Sequence, residues 1–141
     1  MLNIDLLPQP LSNDENGQKR CCLLQQTIDS GQMTEKELWF LYPADLPMPE
    51  DDDCDAYLLA TLLPAMQMRA AIHVYGSVSR ELLANLTELQ YVWNKWLPER
   101  YFLIDIRVDR MREQDWRVGG AIAAFSGGVD AQFTVYRHAT G

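Results

Sequence analysis

The stretch AIHVYGSVSRELLANLTELQYVWNKWLPERYFLIDIRVD, residues 71–109, decides the fold. Ala71-Ile72-His73-Val74-Tyr75 alternates like a strand, and Gly76-Ser77-Val78-Ser79 turns the chain toward a helix. Ser79 is placed to cap that helix. Leu82, Leu86, Leu89, Trp93 and Trp96 form one apolar stripe along it, and Pro98 stops it. From Tyr101 to Asp109 alternation returns, with Ile104, Ile106 and Val108 on one face and Asp105, Arg107 and Asp109 on the other. Strand, helix and strand in that order predict a parallel pair joined by a crossover helix.

Upstream, Tyr57, Leu58, Leu59, Leu62, Leu63 and Met66 recur at helical spacing over 56–68, with Pro64 expected to kink the helix. Cys21 to Ile28 and Leu38 to Tyr42 read as two pairing strands, with Asp29-Ser30-Gly31-Gln32 as turn chemistry between them. Residues 8–20 are polar and turn-forming, and the first 20 residues together read as a mobile amino-terminal arm. Downstream, Gly120 to Phe125 reads as a buried strand and Ala131 to Ala139 as a last helix, after a polar connection around 112–115. The expected fold is therefore α/β, with a mostly parallel sheet and crossover helices. The short connection between the last two strands leaves them either antiparallel or separated by a domain boundary. Three parts result: the arm, an α/β module over 21–110, and a further unit over 118–141.

Composition narrows the function. A chain of 141 residues can bury roughly two-thirds of its unfolded surface, enough for a core without metals or disulfides. Twelve basic against twenty acidic residues give a net charge of −8, which argues against an extended nucleic-acid surface built on clustered Lys and Arg. Cys21, Cys22 and Cys54 fit neither a disulfide framework nor a CxxC spacing. No basic flank and apolar run opens the sequence, and no window approaches a membrane span, so the cytoplasm is the expected compartment.

One stretch carries chemistry. Phe125-Ser126-Gly127-Gly128-Val129-Asp130-Ala131 joins an apolar strand to a helix start. Unpaired N–H groups and the helix dipole make such a junction an anion site. Gly127 and Gly128 lack the Cβ atoms that would hold a phosphate away, Ser126 adds a hydroxyl, and Asp130 suits magnesium or the loop's own N–H groups. No lysine follows, so this is no Walker A loop, and it is not GxGxxG.

Ser126-Gly127-Gly128-Val129-Asp130 instead resembles the SGGxD[ST] pyrophosphate loop of the PP-loop ATP pyrophosphatases. The resemblance covers residues 121–139, the first strand–loop–helix of such a domain, and Ala131 stands where the family usually has a hydroxyl residue. It implies that Ser126, Gly127, Gly128, Val129 and Asp130 bind the pyrophosphate part of MgATP, with Asp130 toward the metal. It further implies substrate adenylation with release of pyrophosphate, followed by amidation or thiolation. The second substrate is unspecified, and the adenine-binding elements would lie beyond Gly141, leaving this chain an inactive amino-terminal fragment. The other reading is a non-catalytic binding or oligomerisation module, in which Tyr91, Trp93 and Trp96 meet a protein partner or a second copy of the chain.

The remaining candidates read as structural. Glu50-Asp51-Asp52-Asp53-Cys54-Asp55 is expected as a solvated loop setting negative charge at a helix start, because consecutive side chains on an extended segment diverge. His73 reads as a half-buried strand histidine, and His138 suits the negative end of its helix. Cys21 and Cys22 point to opposite faces of a strand, so one packs inside.

Overall fold

A computed structural model describes residues 2–27, 31–113 and 125–139. Among them are six strands and three helices: β1 (Asn3–Pro8), β2 (Ser12–Asp14), β3 (Gly17–Thr27), β4 (Met33–Tyr42), α1 (Asp55–Met68), β5 (Ala71–Ser79), α2 (Arg80–Trp96), β6 (Ile106–Arg112) and α3 (Val129–Ala139). The class is α/β. The sheet is mixed rather than mostly parallel: β1 pairs with β5 and β5 with β6 in parallel, while β3 pairs antiparallel with β1, β2 and β4. The reason lies in the connections. Only long crossovers permit parallel neighbours, and the segments joining β1 to β4 are too short to be anything but reversals.

The expected amino-terminal arm is largely strand. Ile4 and Leu6 of β1 enter the core, and Asn13 to Gly17 supplies the tip of the β2–β3 hairpin rather than a free loop. The expected β3–β4 pair is present, with Cys22 opposite Leu38 and Arg20 opposite Phe40; residues 28–30 of its turn lie outside the described residues. Gly76 to Ser79 does not leave the sheet. β5 runs on to Ser79 through an irregularity between Val74 and Ser77. At that point the Asp52–Cys54 backbone lies on the strand: Ser77 N–H donates to the Asp52 carbonyl at 2.8 Å, and Cys54 N–H to the Ser77 carbonyl at 2.9 Å. A Cβ on Gly76 would sit 2.6 Å from the Asp52 carbonyl oxygen and 2.7 Å from Cys54 Sγ, so glycine is what admits the segment.

α2 begins as its sequence dictates: Ser79 Oγ accepts from Leu82 N–H at 3.3 Å. Its stripe packs inward through Leu82, Leu86, Leu89 and Trp93, whereas Trp96 at the end is 69% exposed. β6 begins at Ile106, not at Tyr101, because α2 claims the preceding backbone. Asn94 Nδ2 donates to the Tyr101 carbonyl at 2.7 Å, and Gln90 Oε1 accepts from Ile104 N–H at 2.9 Å.

Both α1 and α2 cover one face of the sheet. Ile4, Leu6, Cys22, Ile72 and Val74 meet Tyr57, Leu58, Leu62 and Met66 of α1 and Leu86 of α2 in one buried cluster. The opposite face carries Asp5, Cys21, His73, Tyr75, Trp39 and Leu41, all half-buried or exposed. The expected strand over 120–125 falls outside the described residues except Phe125, which is irregular and exposed.

Candidate functional site

The five residues of the glycine loop come together through local geometry alone. Ser126 to Gly128 bend into α3, which starts at Val129 and carries Asp130 in its first turn. Gly127 has φ +76°, a left-handed conformation that favours glycine. Gly128 N–H points at Ser126 Oγ, 3.4 Å away, and Gln132 Nε2 donates to the Gly127 carbonyl at 2.9 Å, turning that carbonyl back onto the helix. A Cβ on Gly127 would meet nothing within 4 Å, and one on Gly128 only Ser126 Oγ at 3.5 Å. Space over both glycines is open, at the end of a helix whose first N–H groups lack intrahelical acceptors. This geometry fits a phosphate group. For magnesium the loop offers one carboxylate, Asp130, which suits an ion taking its other ligands from phosphate and water.

α3 itself exposes large apolar side chains. Phe125, Val129, Phe133 and Tyr136 follow one another at helical spacing, and each is at least 60% exposed.

A second constellation, not read from sequence, sits at the carboxyl ends of parallel β5 and β6, where open α/β sheets place their sites. Of the acidic run 50–55, Glu50 and Asp51 are exposed and Asp55 lies in the first turn of α1, as expected, but Asp52, Asp53 and Asp55 are held by arginines. Arg112 Nη2 donates to Asp53 Oδ2 and Asp55 Oδ2, both at 2.7 Å, and Arg110 pairs with Asp52. Asp55 Oδ1 accepts from Ser79 N–H at 2.8 Å, tying the start of α1 to the start of α2. Beneath them Arg20, 7% exposed, donates from Nη2 to the carbonyls of Glu50 (3.0 Å), Asp51 (3.3 Å) and Asp53 (3.0 Å). The carboxylates are satisfied by arginines and backbone, so the cluster is a latch rather than a metal cage. Among the described residues no group of three or more His, Cys, Asp or Glu is placed to hold a metal ion.

His73 occupies the open sheet face, with Nε2 2.9 Å from Asp109 Oδ1 and its ring 4.1 Å from that of Tyr75. Cys22 is buried and Cys21 half-buried, as their alternation requires. Trp93 packs on Tyr101 at 5.1 Å between ring centres. No described helix is long and apolar enough to cross a membrane. Compared with protein families, curated proteins and solved structures, the chain matches none.

Burial pushes the thiols of Cys22 and Cys54 and the phenol of Tyr57 each up to about 12; neighbouring Asp53 adds to the effect at Cys54. All three are neutral at ordinary pH, which excludes Cys22 and Cys54 as nucleophiles. In the unfolded chain these groups release their protons at lower pH, so the folded state holds more protons and loses stability as pH rises. The melting temperature is expected to fall steadily between about pH 9 and pH 12, and Cys54→Ala to shallow that fall. Thermal unfolding followed by circular dichroism across this range is the check; a melting temperature constant to pH 12 contradicts the assignment.

Proposed function

We propose that Ser126 to Asp130 form the pyrophosphate-binding loop of a PP-loop ATP pyrophosphatase domain, preceded by an amino-terminal α/β module. The observation that carries this reading is the left-handed Gly127 directly before a helix, with the space above both glycines open. The exposed apolar side chains of Val129 and Phe133 on α3 support it, since the helix after such a loop packs against neighbouring units of its domain. Ser126, Gly127, Gly128 and Val129 would hold the phosphates, and Asp130 would face the magnesium. ATP held there supplies an adenylyl group for activating a substrate oxygen, ahead of amidation or thiolation. Anion binding needs only this loop, whereas turnover also needs groups that position a nucleophile and the adenine.

Calorimetric titration of the chain with magnesium pyrophosphate tests this. Weak saturable binding is expected, with Gly128→Val reducing it at least tenfold. A Cβ at this position meets only Ser126 Oγ, in ordinary contact at 3.5 Å. Equal binding by the two proteins, or ATP hydrolysis by the unaltered chain, contradicts the reading.

A second reading, a self-associating module, is favoured by the exposure of Trp96 and Tyr91 at 69% and 61% on α2. Light scattering would then give a dimer mass that Trp96→Ala converts to the monomer mass. A monomer in both cases removes it.

A further inference from the structure

A cleft of about 250 Å³ opens between α1 and the β3–β4 pair, on the face of the module away from its open sheet surface. Its inner wall is apolar, built from Ile4, Leu24, Leu38, Pro64 and Met68. Its mouth carries one cation, Lys36, beside the amide of Gln26 and the hydroxyl of Thr34. Gln26 pairs directly with Thr34 across β3 and β4, and Leu24 with Lys36, so three side-chain donors lie side by side on one face. Among the described residues no carboxylate lines the cleft.

The donors are available. Among the described residues the side chains of Lys36 and Thr34 have no ion-pair or hydrogen-bond partner. Gln26 Nε2 reaches only Met68 Sδ, at 3.8 Å. A thioether is a weak acceptor, so that N–H gains by turning to an oxygen anion. An unpaired ammonium in a chain of net charge −8 is a local attraction for a single negative group.

We propose that this cleft binds a small apolar monocarboxylate. The carboxylate lies on Lys36, Gln26 and Thr34, and the tail runs inward past Leu24 toward Pro64 and Met68. A cleft of about 250 Å³ open at one side admits a short aliphatic chain. The site is on the amino-terminal module and is independent of the nucleotide reading.

Titration calorimetry on the 141-residue chain with sodium octanoate, and with 1-octanol as the uncharged control, tests the proposal. Octanoate is expected to bind saturably at one site, at least tenfold more tightly than octanol. Lys36→Gln should weaken octanoate at least tenfold and leave octanol unchanged. Ala60→Phe, at the cleft wall on α1, should remove both. Lys36 is exposed, so its variant keeps the test valid even where the bulkier Phe disturbs folding. Absence of saturable octanoate binding, equal affinity for octanol, or indifference to Lys36→Gln overturns the proposal.

Discussion

The guanidinium of Arg20 is a buried charge held by three backbone carbonyls, and the arrangement of the chain around it follows from that constraint. A desolvated cation needs its donors satisfied, and here the acceptors belong to one short segment, Glu50 to Asp53. The segment is thereby curled onto β3. From there Asp53 and Asp55 reach Arg112 on β6, and Asp55 reaches the first turn of α2. One loop thus joins the antiparallel part of the sheet, the parallel part and both helix starts. Gly76 completes the fit by letting the loop lie against β5.

What the sequence disclosed and what it concealed divide along the range of the interactions involved. α2 was legible because its cap, stripe and stop are all local: Ser79, the Leu82–Leu86–Leu89–Trp93 series and Pro98. The β3–β4 pair was legible because two apolar runs flank turn residues. β1 and β2 were not, since Pro8, Pro10, Asn13 and Asn16 carry loop chemistry while Ile4 and Leu6 are core only by virtue of β3 and β5 beside them. The latch was concealed for the same reason. Arg112 and its two aspartates stand 59 and 57 positions apart, and a run of adjacent acids reads as solvated until arginines from other strands are placed over it. The alternation of Arg110 with Arg112 was the one local signal.

The two candidate binding places differ in what maintains them. The loop at 126–130 rests on local features, a left-handed glycine and a helix start, so its anion-binding capacity is a property of a short segment. The cleft under β3 and β4 rests on register: Gln26 opposite Thr34 and Leu24 opposite Lys36 place the donors over an apolar floor, and a slip of one residue would turn them to the other face. That register is fixed beside Arg20, which pairs with Phe40 in the same ladder.

Urea unfolding of Arg20→Met tests the central role of this side chain most directly. Methionine keeps the apolar stem and removes the guanidinium that three carbonyls share, of which Glu50's keeps the Asp53 N–H. The account predicts a loss of about 3 kcal/mol or more, the scale of breaking a buried charged network. A variant within about 0.5 kcal/mol of the parent, the range of an ordinary surface change, would contradict it.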